Sequence, residues 1–267
     1  MSTTDVIIMG AGGRMGSTLV QLASTDPELS LVGALERPEL LGSLNGLVCQ
    51  TGSSPDEVLP SCSKAVVVDF THPDATLLTA AAAARHGNPM VVGTTGLTDA
   101  QQQELAQAAT SIPLFWAPNM SVGINLLLEF LPQLARMLGV SYDLEISEIH
   151  HRHKKDAPSG TAVKLAQALS QAKGWDPGQS LRMCREGMIG ARPDEEIGVQ
   201  TLRGGDVVGE HTVHFFGPGE RIDVTHRASS RETFAQGALR AAKWIRTQKP
   251  GKLYSMTDVF ADAAQKG

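Results

Sequence analysis

The chain has 267 residues, 42% of them hydrophobic and 19% charged, with a formal net charge of −5. That composition reads as a soluble globular protein with ample material for one large or two modest domains, and it supplies no bulk positive charge for nucleic acid or an acidic membrane surface. Aromatic residues make up only 4%, and no aromatic-plus-basic stripe suggests base stacking. Cys49, Cys62 and Cys184 are widely spaced and form no CxxC. This argues against a disulfide framework and a structural zinc site, and fits a reducing cytoplasm. The opening MSTTDVIIMG lacks a basic stretch followed by a long apolar one, so no signal peptide is expected. No apolar run reaches the roughly 18 residues needed to cross a membrane.

The first half alternates short strands with helices. Val6–Met9 reads as a strand, followed by glycines and a helical pattern through Leu19, Val20, Leu22 and Ala23. Leu31–Leu35 and the β-branched run Ala65–Asp69 are further strands, the second as bare as fully buried parallel strands are. Asp74–Arg85 predicts an alanine-rich helix stopped by Gly87. Met90–Gly93 and Leu114–Trp116 predict strands on either side of a helix at Asp99–Ala109. This alternation implies βαβ units and a parallel sheet with helices on both faces.

After Asn119 the pattern changes. A long helix at roughly Ile124–Leu138 leads into a strand at Asp143–His151. Strand alternation places Glu148, His150 and Arg152 on one face, with His151 and His153 on the other. Thr161–Gln171 has helical apolar spacing, and residues 172–198 read as a long loop. Val199–Leu202 and Val207–Phe216 flank Arg203-Gly204-Gly205-Asp206, a hairpin signal, and Gly217-Pro218-Gly219 turns into Arg221–Thr225. Glu232–Arg246 predicts a last long helix that packs back on the first domain. The expected fold class is α/β: a Rossmann-type dinucleotide-binding domain plus an α+β substrate and oligomerisation domain with a mixed sheet. The expected spans are 1–121 with 232–267, and 122–231.

Residues 6–16 read VIIMGAGGRMG, with Gly10, Gly12, Gly13 and Gly16 between a strand and a helix. Glycine lets the backbone approach a pyrophosphate, and the helix start behind it offers N–H groups and a positive dipole end. Glu36 follows the second strand, twenty residues beyond Gly16, where a carboxylate meets an adenine-ribose hydroxyl. The third glycine comes one position later than in GxGxxG. Arg37 is placed to pair with a 2′-phosphate, so both NADH and NADPH remain candidates. A glycine turn without a ligand is the bland alternative. Gly93-Thr94-Thr95-Gly96 and Ala117-Pro118-Asn119-Met120 end two other strands, on the edge where open α/β sheets bind ligands.

The stretch HHRHKKDAPSGTA, residues 150–162, concentrates three histidines and three basic side chains. A metal site lacks acidic or cysteine partners at familiar spacing, and Arg152 and Lys154 would oppose a cation. A solvated basic strip is the second reading. The third is an anion pocket. Ser159 is a plausible N-cap, Gly160 and Thr161 open a helix, and Lys154 adds charge, which together suit a carboxylate, with an imidazole nearby to move a proton.

From Glu148 to Ala162 the sequence carries E-x-H-H-R-H-K-x-D-A-P-S-G-T-A, and on it the chain resembles the 4-hydroxy-tetrahydrodipicolinate (dihydrodipicolinate) reductase family of the diaminopimelate route to lysine. The likeness extends through GAGGRMG, Asp69-Phe70-Thr71, GTTG, Ala117–Gly123, REG at 185–187, RGGDVVGEHT at 203–212 and THRASSR at 225–231. The resemblance implies His150 and Lys154 as catalytic residues, without saying which delivers the proton. It implies His151, Gly160 and Thr161 as substrate contacts. Gly10, Ala11, Gly12, Gly13, Arg14, Met15, Glu36, Arg37, Gly93, Thr94, Thr95, Ala117, Pro118, Asn119 and Met120 are implied as dinucleotide contacts. It implies NADPH or NADH as cofactor, a cyclic imine dicarboxylate as substrate, no metal, and a homotetramer built through the second domain's sheet. It further implies closure of the two domains about hinges near 120–122 and 230–232. Met120 and Asp74 stand where the family more often has Phe and Glu.

Overall fold

The computed structural model describes residues 3–266. Met1, Ser2 and Gly267, inside the expected domain spans, lie outside the described residues. In chain order the elements are β1 (Thr4–Met9), α1 (Arg14–Thr25), β2 (Leu29–Leu35), β3 (Gln50–Gly52), α2 (Pro55–Val58), β4 (Val66–Asp69), α3 (Pro73–His86), β5 (Met90–Val92), α4 (Asp99–Ala108), β6 (Leu114–Trp116), α5 (Val122–Leu138), β7 (Asp143–His150), α6 (Gly160–Ala172), α7 (Pro177–Ser180), β8 (Leu181–Arg182), β9 (Ile197–Arg203), β10 (Gly209–Gly217), β11 (Glu220–Ala228), α8 (Glu232–Ile245), β12 (Leu253–Tyr254) and α9 (Met256–Lys266). The described residues form two compact units: 3–122 with 231–266, and 123–230.

The first unit holds a seven-stranded parallel sheet in the order β12-β6-β5-β4-β1-β2-β3. Its central strands are apolar on both faces because both are covered. Val6, Ile8, Val66 and Val68 face a layer that includes Leu19, Ala238 and Ile245, and Ile7, Val67 and Val92 face one that includes Ala83 and Leu105. Local signals set the helix ends. Pro73 opens α3 and Gly87 closes it at φ 73°, and Thr98 and Gln101 form a capping box for α4. The chain runs outward from β1 through β2 to β3, then returns to β4 on the other side of β1. The crevice at this reversal, beyond the strands' C-termini, is where such sheets take ligands.

The second unit holds a mixed sheet in the order β11-β10-β7-β9-β8. Its helix-covered face buries Leu144, Ile146, Val199, Val213 and Phe215 against Leu131, Ala135, Leu165 and Leu169. Residues 203–206 do not close the expected hairpin. β7 lies between β9 and β10, parallel to the first and antiparallel to the second. β7, whose inward residues Leu144, Ile146, Glu148 and His150 are all buried, gains cover from a neighbour on each side, and the glycine-rich connection wraps round its end. Gly204 N–H donates to His150 O, His151 N–H to Val207 O and Arg152 N–H to Gly205 O. The hairpin that does form is β10–β11, across Pro218-Gly219, with Gly219 at φ 79°. For the same reason β7 ends at His150, so Arg152 and His153 do not continue its alternation. Residues 172–198 are less open than expected. They contain α7, β8 and the start of β9, and their arginines are tied down by ion pairs. Arg185 bridges Glu145 and Glu196, and Arg192 bridges Glu145 and Asp143.

Gly237, within α8, lies against the Met120 carbonyl, and a Cβ there would sit 1.8 Å from that oxygen. Replacing glycine by alanine in an open helix stabilises by about 1 kcal/mol. Here the sign should invert. Gly237→Ala is expected to lower stability by about 1–3 kcal/mol from backbone overpacking, measured as a lower urea midpoint. A variant as stable as the parent would refute the contact.

Candidate active site

In the first unit, a cavity of about 630 Å³ lies at the strand reversal, lined by residues that include Gly10, Gly13, Glu36, Arg37, Phe70 and Thr71. Gly10 takes φ 62°, which turns the chain from β1 toward α1. A Cβ on Gly16 would lie 1.9 Å from the Gly10 carbonyl, so the late third glycine lets α1 seat directly on the loop. Gly12 and Gly13 are exposed, and no side chain caps α1 at Gly13. The loop N–H groups of Ala11, Gly12 and Gly13 are held by Leu35 O, Glu36 Oε2 and Gly10 O, so a phosphate would approach the uncapped positive end of the helix. This cradle fits a dinucleotide.

Glu36 is buried, and its carboxylate turns back into the loop. Oε2 accepts from Gly12 N–H at 3.0 Å and Oε1 from Arg37 N–H at 2.9 Å. Arg37 stays largely exposed at the rim, 3.5 Å from Glu39. Ala11 is buried, Arg14 exposed and Met15 packed against the core. Gly93 lies where a Cβ would strike the Phe70 ring at 2.3 Å. Thr94 is buried and shares a 2.8 Å hydrogen bond with Thr76, whereas Thr95 is exposed. Ala117 and Met120 are buried in the core, with Pro118 and Asn119 half-buried beside them. Asp69, part of the Asp69-Phe70-Thr71 segment, is given no role by the sequence. It accepts from Thr71 N–H at 2.7 Å and Thr71 Oγ1 at 2.6 Å, and so ties down the end of β4. Burial pushes its carboxyl up.

In the second unit a polar cluster gathers around Glu148, which strand alternation puts on one face with His150 but to which the sequence assigns no role. Its side chain is fully buried on β7. Oε2 receives His150 Nδ1 at 2.6 Å and Arg203 Nη1 at 2.8 Å. Oε1 receives Arg203 Nη2 at 2.8 Å, Ser159 N–H at 2.9 Å and Thr201 Oγ1 at 3.1 Å. Burial alone would raise this carboxyl, but the Arg203, His150 and Ser159 hydrogen bonds outweigh it and bring it to about 2. The carboxylate therefore joins three elements. Parallel pairing sets Glu148 beside Thr201 and His150 beside Arg203, and the Ser159 N–H brings the start of α6 to the same group. Ser159 also caps α6, its Oγ accepting from Ala162 N–H at 3.1 Å.

His150 keeps about a tenth of its side chain exposed. Burial lowers its pKa, and Glu148 opposes that without cancelling it. His211 on β10 meets it edge to face at 5.1 Å and contacts Ser159 Oγ at 3.0 Å through Nε2. Burial, then the neighbouring His150, brings His211 down to about 4. Lys154 pairs with the exposed Asp156 at 2.9 Å, and Arg203 Nη2 holds the Asp156 carbonyl at 2.7 Å. His151 is half-buried, and its Nδ1 finds no partner among the described residues. Gly160 is exposed with nothing within 4 Å of the Cβ it lacks, so no packing demands glycine there, and Thr161 follows it half-buried in the first turn. Arg152, His153 and Lys155 are exposed. The residues that complete this site, Arg203 and His211, lie in the RGGDVVGEHT segment some fifty positions along the chain.

A family profile described as "Dihydrodipicolinate reductase, N-terminus" matches residues 4–120, and one described as "Dihydrodipicolinate reductase, C-terminus" matches residues 123–260. A 4-hydroxy-tetrahydrodipicolinate reductase of Nitratidesulfovibrio vulgaris (strain DP4) is 58% identical over 258 residues, 97% of this chain and 100% of its own. One of Anaeromyxobacter dehalogenans (strain 2CP-C) is 47% identical, covering 96% of this chain and 97% of its own. Among solved structures, a dipicolinate-bound dihydrodipicolinate reductase from Paenisporosarcina sp. TG-14 matches with a TM-score of 0.77 at 25% identity, covering 95% of this chain and 97% of its own. A probable dehydrogenase from Thermotoga maritima shares the fold at a TM-score of 0.59 and 12% identity, covering 94% and 91%.

The buried histidine gives this site a pH signature. His211 binds a proton near pH 6.5 when unfolded but only near about 4 when folded. Its contribution to stability is complete above pH 6.5 and is lost as pH falls toward about 4. His211→Asn cannot titrate and should remove on the order of 2–3 kcal/mol of that acid dependence. Urea unfolding at several pH values between 7 and 4 measures it. An unchanged slope in the variant would count against the assignment.

Proposed function

The chain belongs to the dihydrodipicolinate reductase family, and on that footing we propose that it is a 4-hydroxy-tetrahydrodipicolinate reductase. It would reduce (2S,4S)-4-hydroxy-2,3,4,5-tetrahydrodipicolinate to 2,3,4,5-tetrahydrodipicolinate, on the diaminopimelate route to lysine. One NAD(P)H and one proton are consumed, and the 4-hydroxyl leaves as water. The observation that carries this reading is the Glu148 cluster, which binds a proton-handling imidazole and the N-terminus of α6 into one rigid, partly open site.

The dinucleotide supplies hydride when bound, and the protein's residues hold the ring and manage the proton. The first turn of α6, at Gly160 and Thr161, offers the positive end of the helix to one ring carboxylate. The missing side chain at Gly160 lets that carboxylate come close. Lys154 supplies a mobile cation, since its partner Asp156 is exposed and a substrate carboxylate can displace it. His151, with its unmatched Nδ1, is a further contact for the polar ring. His150 and Lys154 are the two groups able to deliver a proton to the reduced ring. In the first unit, Gly10–Met15 would cradle the pyrophosphate, and Gly93–Thr95 and Ala117–Met120 would border the nicotinamide end. Glu36 and Arg37 would serve the adenine ribose, so NADH and NADPH are both candidate cofactors. The sheet face of the second unit away from its helices carries Thr212, His214 and Phe216, with the last 39% exposed. This face suits assembly into a homotetramer, in the cytoplasm.

Lys154→Ala and His150→Ala are each expected to lower kcat by about 10²-fold or more, with NADPH binding by fluorescence retained. Pyridine-2,6-dicarboxylate, a planar mimic of the ring, should compete with substrate. Near-parental turnover in both variants would overturn the site assignment. Arg37→Ala should raise the KM for NADPH about tenfold by loss of one charge-assisted phosphate contact and leave that for NADH nearly unchanged. A coupled assay with each cofactor measures both constants.

A further inference from the structure

We propose that Glu148, clamped by Arg203, is a positioning residue that fixes His150 as its Nδ1–H tautomer and presents Nε2 to the site as a bare proton acceptor. The proposal rests on the reading of His150 as the group that handles the proton.

The donor set around Glu148 carries the argument. An ionised carboxylate only accepts, so the proton in the 2.6 Å contact with His150 belongs to Nδ1. A neutral imidazole has one N–H, which leaves Nε2 with its lone pair. The carboxylate has no freedom to turn away. Three donors converge on Oε1 (Arg203 Nη2, Ser159 N–H and Thr201 Oγ1), and two on Oε2, Arg203 Nη1 and His150. Nε2 in turn lies close beside Gly209, where a Cβ would sit 2.9 Å away and crowd that nitrogen. His150 then donates only after a proton has arrived at Nε2, and it gives that proton back from the same atom while Nδ1 stays committed. The charged and titratable groups facing it are Glu148 on its own strand, Arg203 on β9, His211 on β10 and Lys154 in the following loop. Glu148 alone favours the added proton.

Glu148→Gln tests this sharply. The amide oxygen will take the Oε1 position, where three donors point. Its NH₂ then faces His150 Nδ1 and needs an acceptor there, which inverts the tautomer. In ¹⁵N-labelled full-length protein at neutral pH, with His150 assigned by difference against His150→Gln, Nδ1 should be pyrrole-like and Nε2 pyridine-like. In Glu148→Gln the two signatures should exchange. Its kcat should fall about 10²-fold or more, as when a triad carboxylate is made an amide. Pyridine-2,6-dicarboxylate affinity and substrate KM should stay within about threefold. The limb of the kcat/KM profile that belongs to His150 should move to lower pH, because the group that favours its protonation is gone. Glu148→Asp, which keeps a carboxylate, should recover part of kcat. A parent protein with the proton on Nε2 would overturn the proposal, as would a Glu148→Gln variant with the parental tautomer or with kcat within about twofold of the parent. The parental spectrum decides the matter even where the glutamine variant does not fold. A parent that shows the predicted tautomer but reduces no ring substrate would instead refute the functional reading.

Discussion

A fully buried, ionised carboxylate is the constraint around which the second unit is organised. Taking a carboxylate out of water costs several kcal/mol unless its lone pairs are filled. Glu148 meets that demand with five donor contacts from three separate elements. The consequences spread outward. β9 must run parallel to β7, in the register that brings Thr201 and Arg203 alongside Glu148 and His150. The helix α6 must begin where Ser159 N–H can reach Oε1. Arg203, once in place, also holds the Asp156 carbonyl and so the loop that carries Lys154. Packing, electrostatics and the arrangement of the site are thus one problem with one solution.

The first unit is governed by close backbone approach instead of by charge. Gly16 lets α1 rest on the Gly10 carbonyl, Gly237 lets α8 rest on the Met120 carbonyl, and Gly93 admits the Phe70 ring. Each contact brings a helix or ring nearer the sheet than any side chain would allow. The result is a crevice at the strand reversal, lined by Gly10, Gly13 and Phe70 and by Glu36 and Arg37. Glu36 shows how such a site is prepared. Its carboxylate, buried and bonded to Gly12 N–H, steadies the glycine loop from the side of β2.

Much of this was legible in the sequence where the information is local. Period-two and period-3.6 patterning marks most strands and helices to within a few residues, Gly87 and Ser159 act as the caps their types suggest, and the glycine loop sits between strand and helix as its spacing requires. The short elements β3, α2, α7 and β8 carry too few residues for a periodic signal. The turn chemistry of Arg203-Gly204-Gly205-Asp206 is misleading, because a glycine-rich connection between two strands does not say whether a third strand lies between them.

What the sequence by itself determined was the two-part architecture, the glycine loop between a strand and a helix, and the cluster HHRHKKDAPSGTA at a strand end, since all of these rest on residues near one another in the chain. Only the tertiary structure decided that Glu148 and Arg203 form the anchor of that cluster, that His211 stands behind His150, and that Arg152, His153 and Lys155 face solvent. The physical reason is that a buried charge is satisfied by whichever donors the sheet brings together. Those donors lie 53 and 55 residues away at Thr201 and Arg203, a distance no local pattern spans.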